Sequence, residues 1–123
     1  MAQHNELGRW GETLAVKMLE GKGYKIIARD WRDGHKDLDI IAVSDGWLVV
    51  VEVKTRRNDD FLSPEQAVDR RKIKNITLAT NRFVKSNRID LPIRFDIVAI
   101  TGTSEENCRI EHIEDAFMPF YFR

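Results

Sequence analysis

The sequence predicts an α/β fold in which a mixed central sheet is flanked by helices. Three observations support this prediction: an amphipathic helix comes first, three short apolar runs separated by turn residues follow it, and a second helix precedes two further strands. Strands joined by tight turns pair antiparallel, whereas a long helix between two strands indicates a crossover and a parallel pair. The length of 123 residues suits one domain covering residues 1–123.

The first predicted helix covers residues 5 to about 21, and the first strand covers residues 24–31. Apolar side chains recur along the helix at steps of three and four residues, which gives it one apolar stripe. The members of this stripe are Leu7, Trp10, Leu14 and Met18. Gly21 and Gly23 end the helix, as glycine does after many helices. Asp33 and Gly34 then form a turn.

A hairpin, a second helix and two more strands follow. The hairpin strands are residues 37–43 and 47–54, joined at Ser44-Asp45-Gly46. The sequence Ser63-Pro64-Glu65-Gln66 has the features of a helix start, with a serine cap, a proline in the first turn and a glutamine three residues after the serine. That helix includes Val68 and ends near Ser86. The last strands are residues 93–101, where Asp96 is expected to brace Arg94 or a site residue, and 109–113.

Composition and charge exclude several classes of protein. The 20 Lys and Arg residues balance the 20 Asp and Glu residues, which argues against a protein that coats nucleic acid through many phosphate contacts. A single cysteine, Cys108, excludes an internal disulfide and is expected to be a small apolar side chain. His4, His35 and His112 lack the spacing of metal ligands. Neither a signal peptide nor a membrane-spanning segment is apparent, so we expect a cytoplasmic protein with no membrane partner.

Residues 47–54 carry the main functional signal. Side chains alternate between the two faces of a strand, so Val49 and the two valines that follow at alternate positions share one face. Glu52 and Lys54 share the other face, at the end of an apolar strand. Charged side chains are rarely placed in such a position without partners or a function.

The preceding strand adds a second carboxylate, Asp39. If the hairpin turns at Asp45 and Gly46, then Asp39 and Glu52 face each other across the ladder, about 5 Å apart. Two carboxylates at this distance repel unless a cation lies between them. Hard oxygen ligands suit Mg²⁺ or Mn²⁺, which bind one or two carboxylates together with water and substrate phosphate.

This arrangement suggests hydrolysis of a phosphodiester. A divalent cation at Asp39 and Glu52 would polarise the phosphate and lower the pKa of water. Lys54 would orient the attacking water or offset the charge that develops on phosphorus. The alternative is structural: Lys54 forms a buried ion pair with Glu52 or Asp39 that only closes the sheet.

The pattern resembles the motif of PD-(D/E)xK nucleases, in which an acid on one hairpin strand is followed by Glu-x-Lys on the next. More closely, the chain resembles the YraN-like family of small predicted endonucleases, which is similar to archaeal Holliday-junction resolvases. The matching blocks cover most of the chain: Gly8-Arg9-Trp10-Gly11-Glu12 with Ala15, Gly23-Tyr24 with Ile26-Ile27, Arg29-Asp30-Trp31-Arg32, Asp37-Leu38-Asp39-Ile40-Ile41, Val51-Glu52-Val53-Lys54-Thr55-Arg56 and Arg94-Phe95-Asp96-Ile97-Val98.

The resemblance implies a restriction-endonuclease-like αβββαβ core, a divalent metal and a DNA substrate, with branched or junction DNA among the candidates. It implies metal ligands at Asp39 and Glu52 and a catalytic lysine at Lys54, and it adds Glu12 of the first helix as a further catalytic acid. The alternative for Glu12 is an ordinary solvated helix side chain. The family usually reads Gly-Glu-Ile-Asp where this chain reads Lys36-Asp37-Leu38-Asp39, so no role is expected for the earlier acid.

Basic residues after the motif are the expected DNA contacts. They are Arg56, Arg57, Arg70, Arg71, Lys72 and Lys74. Lys72 corresponds to a lysine often found at this point in the family and is the leading candidate for a phosphate contact. The alternative for this group is a solvated helix face balanced by neighbouring acids. Gln66 either touches the metal-bound water or the substrate, or it caps the helix, and its place in the capping box favours the cap.

Three functions are open at this point. The first is a Mg²⁺- or Mn²⁺-dependent DNA endonuclease, the second a non-catalytic nucleic-acid-binding module with a nuclease fold, and the third an interaction domain in which Glu52 and Lys54 are only structural. The intact set of Asp39, Glu52 and Lys54 favours the first over the second. The aromatic residues in 117–122 either pack back onto the sheet or form a dimer contact, and a homodimer would supply the paired sites that junction cleavage needs.

Overall fold

The computed structural model describes residues 5–58 and 68–118, which form a five-stranded sheet with an α-helix on each face. The elements are α1 (Asn5–Gly21), β1 (Lys25–Asp33), β2 (Lys36–Ser44), β3 (Trp47–Arg56), α2 (Arg70–Asn87), β4 (Ile93–Gly102) and β5 (Cys108–Ile113). The strands lie side by side in sequence order. β3 and β4 are parallel, and the other neighbours are antiparallel. This is the predicted mixed α/β fold, consistent with a restriction-endonuclease-like core.

The turn between β2 and β3 sets the register of the hairpin. Asp45 (φ 51°) and Gly46 (φ 81°) both have left-handed backbone conformations, as a two-residue turn of type I′ requires. Asp and Gly are among the few residues that accept this conformation at low cost. The turn pairs Ser44 with Trp47, and the ladder then continues to the pair of Ile40 and Val51.

The start of α2 differs from the prediction. The helix begins at Arg70, after an extended Asp69 whose side chain accepts a hydrogen bond from the backbone N–H of Lys72 at 2.9 Å. Val68 is buried but precedes the helix, so its predicted helical conformation is wrong. The reason is that Asp69 caps the helix in the usual manner of an N-cap carboxylate. The predicted start at Ser63-Pro64-Glu65-Gln66 lies outside the described residues. In the described ranges, neither helix is long and apolar enough to cross a membrane.

The sheet divides the core into two layers. The α1 layer includes Leu14, Ala15, Leu19, Val49 and Val51, and the α2 layer includes Leu48, Val50, Ile76, Ala79 and Phe83. The central strand β3 therefore contributes alternate side chains to both layers. Because both of its faces are covered, a charged side chain near its carboxyl end is largely removed from water.

A buried polar cluster lies on the α1 side of β4. Asp96, which has no solvent exposure, accepts hydrogen bonds from Arg94 Nε and Nη2, both at 2.9 Å, and from the Asp115 amide at 3.0 Å. His112 Nε2 lies 2.8 Å from the same carboxylate and donates to it, because an ionised carboxylate only accepts. Arg94 also donates to the Tyr24 hydroxyl at 2.6 Å. The expected bracing of Arg94 by Asp96 is confirmed.

The beginning of the aromatic tail packs back onto the sheet. Phe117 stacks on Phe95 with ring centroids 5.3 Å apart, and the Ala116 amide donates to the Phe95 carbonyl at 2.7 Å. The first of the two alternatives therefore holds for Phe117. Residues 119–123 lie outside the described residues, and the homodimer stays a prediction.

Replacing Gly11 with alanine is expected to destabilise the protein by about 1–3 kcal/mol. A Cβ at this position would collide with the Oγ1 and crowd the Cγ2 and Cβ atoms of Thr55 in β3, so α1 would have to move away from the sheet. Urea unfolding of the variant measures the effect. Gly21→Ala is the matched control, because a Cβ there meets no atom within 4 Å. Equal stability of the two variants would show that the close approach of α1 to Thr55 is unimportant.

Candidate active site

The charged end of β3 faces α2. Val49 and Val51 belong to the α1 layer, and Leu48 and Val50 belong to the α2 layer, which confirms the predicted alternation. Glu52 continues it on the α2 side, where it meets Lys72 of α2. The Glu52 side chain is only 6% exposed. A carboxylate is therefore held at the end of an apolar strand with almost no access to solvent.

Asp39 is tied to the same end of β3. The ladder of β2 and β3 ends at the pair of Ile40 and Val51, and one more step of this register places Asp39 opposite Glu52, as predicted. Beyond the ladder, Asp39 Oδ2 accepts a hydrogen bond from the Val53 amide at 2.8 Å. The carboxylate takes the place of a backbone partner for β3, so its position is set by the main chain of the central strand.

Burial raises the pKa of Asp39 well above its ordinary value, and the charge of Glu52 raises it further. Asp37 acts in the same direction, whereas the hydrogen bond from the Val53 amide and the charge of Lys72 oppose the rise. The hairpin register predicted this effect on the pKa, because it places two carboxylates next to each other where there is little water. A cation between them would remove this penalty.

Two ammonium groups pair with one oxygen of Glu52. Lys54 Nζ lies 3.6 Å from Glu52 Oε2, and Lys72 Nζ lies 3.5 Å from the same atom. The Lys54–Glu52 ion pair that was the structural alternative therefore exists. Burial lowers the pKa of Lys72, but the charges of Glu52, Asp37 and Asp39 outweigh this effect and raise it overall. Lys72 is thus a charged member of the site.

Asp37 also takes part in this cluster, although the departure from the family pattern at Lys36-Asp37 argued against a role for it. Its Oδ1 lies 3.9 Å from Lys72 Nζ, and its side chain is 36% exposed. Asp37 lies two residues before Asp39 on the same strand, a spacing that could have signalled a shared face. Its contact with Lys72 depends on how α2 packs, which no local pattern reports.

Glu12 of α1 has a different set of neighbours. Its Oε1 lies 3.3 Å from Arg29 Nη2 of β1, and Arg29 also donates to Thr13 Oγ1 at 3.3 Å. Burial raises the pKa of Glu12, partly offset by Arg29, and the charges of Asp30 and Asp37 add to the rise. Glu12 is thus neither fully solvated nor in an ion pair with a site lysine; it lies within electrostatic reach of Asp37.

The predicted DNA contacts fall into three groups. Arg71 and Lys72 line a pocket of about 290 Å³ on α2 together with Lys54, Asp69 and Asn75. Arg56 ends β3 and Arg57 follows it, exposed. Gln66 lies outside the described residues. The structure therefore brings Arg71 and Lys72 beside Lys54, which gives the site a cationic wall.

The donor set suits a hard divalent cation. In residues 5–58 and 68–118, no group of three or more His, Cys, Asp and Glu side chains is gathered as a metal centre. Asp39 and Glu52 supply two carboxylates, and Mg²⁺ is commonly held by one or two carboxylates with water and substrate phosphate as the remaining ligands. Desolvation and the charge of Glu52 raise the pKa of Asp39, and a cation bound beside the pair would offset both effects.

Comparison with known proteins identifies the family. Residues 11–100 match the family described as "Uncharacterised protein family UPF0102". The chain belongs to the UPF0102 family. A UPF0102 protein of Bacteroides thetaiotaomicron is 51% identical over 122 residues, which cover 99% of this chain and 100% of that protein. A UPF0102 protein of Flavobacterium psychrophilum is 48% identical over 120 residues, 98% of this chain and 100% of that protein. The expected YraN-like membership is thereby confirmed.

The segment matched to the UPF0102 family contains all the residues of the proposed site. It begins at residue 11, just before Glu12, and it includes Asp39, Glu52, Lys54 and Lys72. It ends at residue 100, so it includes Asp96 and excludes its partner His112. The UPF0102 match therefore covers α1 through most of β4, which are the elements that build the site.

Proposed function

We propose that this UPF0102 protein is a divalent-metal-dependent endonuclease that hydrolyses phosphodiester bonds in DNA. The observation that carries the proposal is the pairing of a half-buried Asp39 with a buried Glu52 beside two lysines, at the end of the central strand. Asp37, Asp39 and Glu52 place three carboxylates against the two ammonium groups of Lys54 and Lys72, which is one more than ion pairs alone would use. The surplus carboxylate is explained by binding of Mg²⁺ or Mn²⁺.

The roles of the residues follow from their positions. Asp39 and Glu52 would hold the cation, which would supply Lewis-acid activation of the phosphate and lower the pKa of water. Lys54 is 32% exposed, so its ammonium reaches from Glu52 toward the surface, where it meets a substrate phosphate and offsets the charge that develops during attack. Arg71 and Lys72, in the adjoining pocket, hold the DNA backbone.

The resemblance to junction resolvases leads us to propose branched DNA as the substrate and a homodimer as the active form. A dimer places two sites on one substrate, as cleavage of paired strands requires. Glu12 is assigned a supporting part: it pairs with Arg29 and adds negative charge near Asp37. The alternative function, a DNA-binding module without catalysis, uses the same cationic wall but does not explain the carboxylate pair.

A cleavage screen tests the proposal. Wild-type protein is incubated with four-way junction, flap, nicked, linear and single-stranded DNA in Mn²⁺ or Mg²⁺. We expect cleavage of at least one substrate that EDTA abolishes, and a loss of at least about a hundredfold in Glu52→Gln and in Lys54→Ala. Glu111→Gln, the same substitution at an exposed position of β5, should keep full activity.

Two outcomes would contradict the endonuclease. Cleavage that persists in both site variants would come from a contaminant or another site. Binding of DNA without cleavage of any substrate would favour the non-catalytic module.

A further inference from the structure

Lys72 is held by the carboxylates that are proposed to bind the metal. Its Nζ lies 3.5 Å from Glu52 Oε2 and 3.9 Å from Asp37 Oδ1. The charge of Asp39 also acts on it. One ammonium on the first turn of α2 thus faces three carboxylates from β2 and β3. In the absence of a metal ion, this lysine supplies the positive charge that the site needs.

We propose that Lys72 is a resident counter-cation that a divalent metal must displace before it can bind at Asp39 and Glu52. This inference rests on the metal site of the proposed function and adds a control on its affinity. Glu52 Oε2 already meets two ammonium groups, and a doubly charged ion beside them would be repelled by both. Metal affinity is therefore set by competition with a residue of the chain itself.

Lys72, and not Lys54, is the group that leaves. Lys54 belongs to the central strand, where it pairs with Ala99 of β4, and it lies two residues from Glu52 on the same face. Lys72 approaches from a helix on a flexible four-carbon stem. The pocket of about 290 Å³ lined by Arg71, Lys72 and Asn75 gives its ammonium room to move away from Glu52.

The displacement gives Lys72 two successive partners. Without metal it neutralises Glu52 and Asp37; with metal bound it is released into a pocket whose other cations, Arg71 and Lys54, suit a phosphate group. A phosphate in that pocket draws Lys72 away from the carboxylates, so it raises metal affinity. By linkage, the metal raises phosphate affinity by the same factor.

Titration with Mn²⁺ alone, followed by the loss of the free-ion electron paramagnetic resonance signal, tests the inference without any cleavage assay. We expect Lys72→Met to bind Mn²⁺ at least about tenfold more tightly than wild type, a factor that corresponds to about 1.4 kcal/mol. Lys72→Arg keeps the positive charge and should stay within about threefold of wild type. Lys74→Met removes an exposed charge from the same turn of α2 and should change the affinity by less than about twofold.

Each outcome has a separate meaning. Equal or weaker Mn²⁺ binding by Lys72→Met, while Glu52→Gln abolishes binding, overturns the role of Lys72 and leaves the metal site standing. Tighter binding by Lys72→Met together with no DNA cleavage by wild type supports the role of Lys72 and rejects the endonuclease. A similar gain in Lys74→Met would show that only the net charge of α2 matters, which also overturns the inference. No Mn²⁺ binding by any of these proteins overturns both the inference and the metal site.

Discussion

Replacing Asp96 with alanine is expected to lower the free energy of unfolding by about 3–5 kcal/mol. The substitution removes the acceptor for Arg94, His112 and the Asp115 amide at once. The Arg94 side chain is only 16% exposed. Its guanidinium would therefore remain in a poorly solvated place with the Tyr24 hydroxyl and a long contact to Glu114 at 3.8 Å. This loss is a large part of the free energy of unfolding of a typical domain, which is about 5–15 kcal/mol.

Urea unfolding at neutral pH measures this loss. Glu114→Ala is the matched control, since it removes a carboxylate that is 56% exposed from the same arginine and should cost less than about 1 kcal/mol. A cost below about 1 kcal/mol for Asp96→Ala as well would mean that the cluster does not stabilise the fold.

The same cluster predicts how stability depends on pH. Burial raises the pKa of Asp96, but the hydrogen bonds from His112, Arg94 and the Asp115 amide outweigh it, and the net pKa lies below the ordinary value. The folded pKa is thus lower than the unfolded pKa of about 3.9. The carboxylate therefore contributes stability above about pH 4, and this contribution is lost as the pH falls through the folded pKa. The difference between wild type and Asp96→Ala should shrink over that acid range.

Local sequence patterns were sufficient for the strands and for the carboxylate pair. The two-residue period of β3 placed Glu52 on the opposite face from Val51, and the Asp45-Gly46 turn placed Asp39 opposite Glu52. Both deductions use interactions between neighbours in the chain or across one hairpin. They need no knowledge of how the helices pack.

Contacts between distant elements could not be predicted in this way. Lys72 meets Glu52 only because α2 packs on one face of the sheet in a particular register, and His112 reaches Asp96 from a strand added at the far edge. Seen in the sequence, His112 was one of several scattered histidines. The helix start was mispredicted for a related reason: Ser63 and Asp69 are both acceptable caps, and a local pattern cannot choose between them.

Replacing Asp39 with asparagine is expected to reduce DNA cleavage by at least about a thousandfold and, without metal, to make the protein more stable. Asparagine keeps an oxygen that can accept the hydrogen bond of the Val53 amide but removes the charge. The folded pKa of Asp39 lies above its unfolded value because of burial and Glu52. Its stabilising contribution is therefore present below the unfolded pKa of about 3.9 and is lost as the pH rises through the folded pKa.

At neutral pH the wild-type protein is thus destabilised by a carboxylate that asparagine replaces with a neutral group. We expect a gain of about 0.5–2 kcal/mol for Asp39→Asn in EDTA, which is the common size of stabilising substitutions at sites kept for function. Thermal and urea unfolding at pH 4 and at pH 7 measure this gain in stability. The gain should be smaller at pH 4 than at pH 7. Glu105→Gln, at an exposed carboxylate that pairs with Lys17, provides the control and should show no such gain.

Saturating Mn²⁺ should reverse the order of stability. A ligand that binds only the folded protein stabilises it by about 2.7 kcal/mol at a hundred times its dissociation constant, and Asp39→Asn lacks one of the two carboxylates that would hold the ion. Wild type should therefore gain more from Mn²⁺ than the variant does. The half-buried Asp39 carboxylate is then best understood as a cost to the metal-free fold that a bound cation offsets. A variant that is less stable than wild type in EDTA, or that gains as much from Mn²⁺, would show instead that Asp39 stabilises the fold through its hydrogen bond to β3.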